Sequence, residues 1–188
     1  LQWYTFILVP TLLIFSNLIA CGIQKVFMSM NELYLAVWAC EADRKEMVQD
    51  KPNLSKKLTD LVPADEDSNT LIQFCSQRND EICAHLTDNC TNLRQDISYR
   101  KDDKSVLMIA CDNAHSKTVE SFFKKAYEGH KIGINDTSRD GYSALHYVVH
   151  SNGPIEAKKK IVFLFWTFAK QFNINLLIKS VGGKTPID

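Results

Sequence analysis

Between residues 36 and 187, apolar positions recur at i, i+3 and i+4 in short blocks separated by polar stretches. The blocks are Ala36-Val37-Trp38-Ala39-Cys40, Leu71-Ile72-Gln73-Phe74-Cys75, Leu107-Met108-Ile109-Ala110-Cys111 and Leu145-His146-Tyr147-Val148-Val149. That spacing puts the apolar side chains of each block on one face of a helix. The blocks end at Cys40, Cys75, Cys111 and Val149, which are 35, 36 and 38 residues apart, and Thr185-Pro186-Ile187 opens a fifth, with Ile187 following Leu145 by 42. Recurrence at this period signifies stacked supersecondary units.

Each unit offers a second apolar stripe. In the second unit it is Ile82, Cys83 and Leu86; in the third, Val119, Phe122 and Phe123; in the fourth, Ile161, Val162, Phe165 and Phe168. The first unit has only Met47 and Val48, followed by Leu54, Leu58 and Leu61. The pattern predicts two helices per period. The units are joined through Asp65-Glu66-Asp67-Ser68-Asn69, Arg100-Lys101-Asp102-Asp103-Lys104 and Ser138-Arg139-Asp140-Gly141, whose polar, turn-forming residues read as exposed loops.

Asp140-Gly141-Tyr142-Ser143-Ala144-Leu145-His146-Tyr147 resembles the ankyrin-repeat motif, D-x-x-G-x-T-P-L-H-x-A. Gly141 matches its turn glycine, Ser143 and Ala144 stand for Thr and Pro, and Leu145-His146 match directly. Gly183-Lys184-Thr185-Pro186-Ile187-Asp188 is similar, with Ile187 for Leu and Asp188 for His, while Ile134-Asn135 and Ile174-Asn175 resemble the I-N that closes an ankyrin unit. Lys104-Ser105-Val106-Leu107-Met108 keeps the spacing without Pro or His. The resemblance covers about residues 30 to 188 and is weakest in the first unit, and the units exceed the typical 33 residues.

The resemblance implies an all-α fold: an α-solenoid of stacked helix-turn-helix repeats over residues 28–188, about four repeats and the start of a fifth, a fragment of a longer array. It implies that Thr caps the first helix, that Pro occupies its first turn and that His bonds back toward the turn. Gly141 then supplies the freedom of the hairpin turn, and Cys40, Cys75 and Cys111 are small buried side chains that let helices approach. His146 is a structural histidine rather than a base or ligand. The implied function is protein–protein interaction, as a scaffold or adaptor that binds a protein partner through loop tips and first helices. Arg100, Asp102, Asp103, Arg139, Asp140 and Tyr142 fall near those tips.

The 188 residues carry 22 Lys+Arg against 22 Asp+Glu, so the net charge is zero and no global excess of cations favours nucleic acid. Residues 1–24 hold no charged side chain, and Phe6 to Ile23 is strongly apolar, close to the ~20 residues a membrane helix needs. A signal-peptide core fits as well, and Leu18-Ile19-Ala20-Cys21 resembles a lipobox. Residues 1–27 also fit a leader read through in frame ahead of Met28 and Met30. The expected location is cytoplasmic; the alternative is a membrane-anchored channel or receptor with its repeats in the cytosol. A further alternative is the docking module of a larger enzyme whose catalytic domain lies beyond Asp188.

No catalytic, cofactor or metal site is expected. The cysteines form no C-x-x-C pair and read as thiols of a reducing compartment, and the sequons at Asn53, Asn89 and Asn135 read as accidental. Gly182-Gly183-Lys184-Thr185 resembles the end of a phosphate loop, but Ile178 stands where its glycine belongs and Pro186 interrupts the helix. Cys111 with His115, and Cys83 with His85, lack an orienting third group. Lys124-Lys125 and Lys158-Lys159-Lys160 read as solvated helix faces, with a phosphoinositide or acidic-partner contact as the alternative.

Overall fold

The computed structural model describes residues 35–49, 70–90 and 103–188. The leader 1–27, the loop-tip candidates Arg100 and Asp102, Leu54, Leu58, Leu61 and the connector 65–69 lie outside the described residues. What is described is all-helical. A helix over 35–42 leads to a 3-10 turn at Lys45–Met47. Then come α1 (Leu71–Arg78), α2 (Asp80–Asp88), α3 (Val106–Asp112), α4 (Ser116–Tyr127), α5 (Ala144–His150) and α6 (Ile155–Phe168). Among the described residues there is no strand, Thr137 and Ser143 form an isolated antiparallel bridge, and no helix is long and apolar enough to cross a membrane.

The first helix of units two to four starts in one way. Thr70, Ser105 and Ser143 are N-caps with extended backbone. The side chain three residues on accepts the cap's own N–H: Gln73 Oε1 at 2.9 Å, Met108 Sδ at 3.4 Å and His146 Nδ1 at 3.0 Å. This reciprocal bond satisfies a donor that helix geometry leaves orphaned. Asp188 Oδ2 takes the N–H of Thr185 at 2.7 Å in the same arrangement.

Helix ends also recur. Arg44 N–H bonds Ala39 O at 2.9 Å and His115 N–H bonds Ala110 O at 2.9 Å, each after a left-handed residue, Asp43 and Ala114. Second helices close alike, His130 to Lys125 O at 3.0 Å and Ile174 to Ala169 O at 2.8 Å, behind Gly129 and Asn173. These six-to-one bonds occupy carbonyls that would otherwise lack donors.

Caps and closures correct the alignment of the sequence blocks by one residue in unit two. Ile72, Cys75 and Ser76 are the counterparts of Leu107, Ala110 and Cys111, of Leu145, Val148 and Val149, and of Ala36, Ala39 and Cys40. Cys75 therefore belongs to the row of Ala110 and Val148, all fully buried, and not to that of Cys111. Leu71 sits beside Ile72 and Phe74 beside Cys75, so apolarity alone admits either register. The Thr70 cap decides it.

First helices pack on first helices, α1 on α3 on α5, and second on second, α2 on α4 on α6. The core between the two layers includes Phe74, Ile82, Leu86, Leu107, Phe122 and Phe123. Phe123 stands edge-on to Phe165 at 5.0 Å and stacks on Phe168 at 5.2 Å. The second layer is also tied by polar bonds. Asp80 of α2 accepts the N–H groups of Lys117 and Thr118 at 3.1 and 2.7 Å, capping α4 from the preceding unit.

The fourth unit departs from expectation. Ile161 and Phe165 are buried, but Val162 is 43% exposed, Phe163 66% and Trp166 71%. The run 161–166 is apolar on all sides, yet the described residues cover only one face of α6. Of the expected stripe, Ile161 and Phe165 point inward and Phe168 packs partly buried against the core, whereas Val162 faces out.

Candidate functional site

The hairpin that leads into α5 is held by Ser138, whose N–H bonds Tyr142 O and whose O accepts Gly141 N–H, both at 2.9 Å. Its hydroxyl accepts Tyr142 N–H at 3.2 Å. Forty-two positions on, Ser180 makes the same three bonds to Lys184 and Gly183, at 2.8, 2.9 and 3.3 Å. Gly141 has φ +76°, and a Cβ there would meet Val181 N at 2.9 Å. The left-handed turn and the close approach of the next hairpin both require glycine. The two hairpins join through Val181 N–H to Asp140 O at 2.8 Å.

His146 spans the same boundary. Its Nδ1 takes the Ser143 N–H, so the proton sits on Nε2, which donates to Lys184 O at 3.1 Å. Both ring nitrogens are used, in keeping with a structural histidine. Gly182-Gly183-Lys184-Thr185 is thus a hairpin turn leading to a cap, with Thr185 N–H and hydroxyl on Asp188 Oδ2. Two backbone and side-chain bonds from Thr185 hold the Asp188 carboxyl below its usual value.

Of the six loop-tip candidates, the structure brings Arg139, Asp140 and Tyr142 together on this hairpin. Arg139 and Asp140 are exposed and Tyr142 is half-buried. Asp103, two residues ahead of the Ser105 cap, has φ +65°. Residues not nominated from sequence complete a continuous surface. The Tyr142 ring lies 5.1 Å from His146, 6.1 Å from Tyr147 and 6.2 Å from His150. Lys104 Nζ sits 4.7 Å from the centroid of the Tyr147 ring and bonds Asp112 Oδ2 at 2.7 Å. A cation held over a ring in this way gains roughly 0.5–1 kcal/mol. The surface runs from Asp112 through Lys104 and Tyr147 to Tyr142 and the hairpin tip. His146 and His150 share one face of α5 by helical spacing, a signal present in the sequence, and Tyr142 reaches them from the hairpin just ahead of the Ser143 cap. Lys104 over Tyr147 links units, and no local pattern encodes it.

Tyr147 also belongs to a row along the first helices, with Trp38, Phe74 and Ile109 as counterparts. Trp38 is half exposed, whereas Phe74 and Ile109 are buried. Arg78 lies 5.7 Å from the Phe74 ring centroid.

The outer layer carries a concavity of about 390 Å³, between Lys45, His85, Asp88, Lys117 and Lys124. Four of its charges are spent on each other: Lys117 pairs with Glu81, and Lys124 with Asp88 at 3.4 Å. The Lys117 pairing draws Glu81 below its ordinary value and lifts Lys117. The lysine runs are not bare charge. Lys160 pairs with Glu120 at 2.6 Å, Lys159 with Glu156 at 2.8 Å and Lys125 with Glu128 at 2.9 Å. Lys158 donates to Val149 O and Ser151 O, closing α5.

The cysteines among the described residues are buried thiols. Burial pushes Cys83 up to about 12 and Cys111 higher still. Both are therefore held as thiols near neutral pH. Cys83 Sγ lies 3.4 Å from Ser76 Oγ. His115 is lowered by burial, against the pull of Asp80, and its Nδ1 has no hydrogen-bond partner. No group of three or more His, Cys, Asp or Glu among the described residues is placed to hold a metal ion.

Neither a protein-family model nor a curated protein matches this sequence.

Proposed function

We propose that this chain is a protein–protein interaction module, an ankyrin-like solenoid that binds a protein partner with the hairpin tips and first-helix face of its later units. It performs no catalytic step of its own. The observation that carries this reading is the recurrence of one hairpin-and-cap unit, Ser138 to His146, bond for bond at Ser180 to Asp188. Such a unit cannot bury its apolar face alone, and stacking it aligns the tips along one edge. At that edge Arg139, Asp140, Tyr142, Lys104 and His150 combine both charges with aromatic area, the composition that anchors protein interfaces.

The reading is tested by quantitative capture from extract with three proteins compared: the native chain, an Arg139→Glu/Tyr142→Ala variant, and a Lys117→Ala/Lys124→Ala variant of the outer layer. The expected result is a protein retained by the native chain and the outer-layer variant and lost with the tip variant, at unchanged helix content. Equal retention by all three, or loss only with the outer-layer variant, overturns it.

A further inference from the structure

Cys40 lies on the helix over 35–42 and Cys75 on α1, and their sulfurs are 3.2 Å apart across 35 residues of chain. The register explains the contact. Cys40 occupies the row of Ser76 and Cys75 the neighbouring row, so the two sulfurs meet diagonally across the boundary between units one and two. Cys83, the next sulfur in sequence, is turned to Ser76 Oγ at 3.4 Å. Disulfide sulfurs are about 2.0 Å apart, so closing the pair needs a movement of roughly 1 Å. The loops beside them are already tied, Asn79 Nδ2 donating to Asp43 Oδ1 at 2.8 Å. Both thiols are buried, Cys75 completely, and buried thiols stay inert until an interface opens.

We propose that Cys40 and Cys75 form a modification site, a thiol pair that closes to a disulfide between units one and two by exchange with a small-molecule disulfide. One cysteine, as thiolate, attacks a sulfur of the small disulfide, whose sulfur–sulfur bond breaks and releases one small thiol. The second cysteine, once deprotonated, attacks the protein-bound sulfur of the resulting mixed disulfide and releases the second small thiol. Two protein thiols are oxidised, one small disulfide is reduced to two thiols, and the two protons pass to those thiols. The new bond closes a 35-residue loop and restricts the unfolded chain, which fastens unit one to unit two.

The test uses the full chain in glutathione buffers of increasing oxidised fraction, followed by acid quenching, alkylation and tryptic mapping. Cys40 is the sole cysteine of tryptic peptide 26–44, and Cys75 of peptide 58–78, so the link is unambiguous. The expected product joins these two peptides, two hydrogens lighter than their sum, and dithiothreitol reverses it. Cys83 and Cys111 remain alkylated. The link forms in greater yield from the folded chain than from the chain in urea, and it raises the thermal midpoint of the native protein but not of Cys40→Ser. Retention of both thiols, separate glutathione adducts on each, linkage chiefly to Cys83, or equal yield from folded and unfolded chain overturns the proposal.

Discussion

His146 fills the third position after its cap, where Gln73 and Met108 stand in the two earlier units, and it bonds on each side of its ring. His146→Ala removes the acceptor of Ser143 N–H and the donor to Lys184 O, and should destabilise the fold by about 1–3 kcal/mol for the unsatisfied groups. His146→Gln, the residue type found at position 73, should recover part of that loss in urea unfolding; equal losses for both would refute the role. Gly153 is as tightly constrained. A Cβ there would fall 2.2 Å from Ala114 Cβ, in the loop that closes α3. Gly153→Ala should lower the thermal midpoint although alanine favours regular backbone, and an unchanged midpoint would contradict the packing. His115 sets a pH dependence. Burial holds it below its ordinary value, so the unfolded chain binds the proton first as the pH falls below about 6.5. Stability from this group is complete above that value and is lost on acidification. The midpoint should fall less steeply in His115→Asn, and parallel slopes would remove His115 from the account. Glu81 and Glu128, held low by Lys117 and Lys125, withdraw their smaller share only at more acidic pH, and solvent screens both pairs.

Helices answer to caps and to burial, and the two differ in how openly the sequence declares them. Leu107→Ala truncates a fully buried side chain of α3 and should cost about 2–5 kcal/mol, whereas Cys75→Ala removes one sulfur and should cost much less. Comparable losses in denaturant titration would mean that Leu107 is not at the layer interface. Most of the helical pattern was legible because each helix shows its buried face at the helical period. Ile82, Cys83 and Leu86, and then Val119, Phe122 and Phe123, are all buried. Two features were not legible. The second block aligns one residue early, since apolar neighbours on both sides of Ile72 hide the register that Thr70 sets. In α6 the expected stripe holds at Ile161 and Phe165, but the outward side of Val162 is unreadable in a run with no polar position to mark its outer face. At the surface, Arg139, Asp140 and Tyr142 were legible from turn chemistry, but Lys104 over Tyr147 joins positions 43 apart in the chain and needs the stack to exist.

At the scale of the whole molecule, each unit supplies acids that the next unit answers with lysines or backbone N–H groups. Asp80, Glu81 and Asp88 of α2 meet α4, and Glu120 of α4 meets α6. Each exposed pair is worth only about 0–1 kcal/mol, so the ladder reports the order of the helices more than it stabilises them. The exposed Phe163 and Trp166 of α6 lie beyond the last rung. Replacing both by Ser should leave the unfolding midpoint nearly unchanged and reduce binding of an apolar dye, and a large destabilisation would mean that α6 is packed on that side. The stacked order itself is tested most directly by zero-length carbodiimide coupling of the native chain, with linked peptides read by mass spectrometry. The expected links are Lys117 to Glu81, Lys124 to Asp88 and Lys160 to Glu120, each between second helices of successive units. Coupling confined to pairs within one helix or turn, such as Lys159 to Glu156 and Lys125 to Glu128, would contradict the stack.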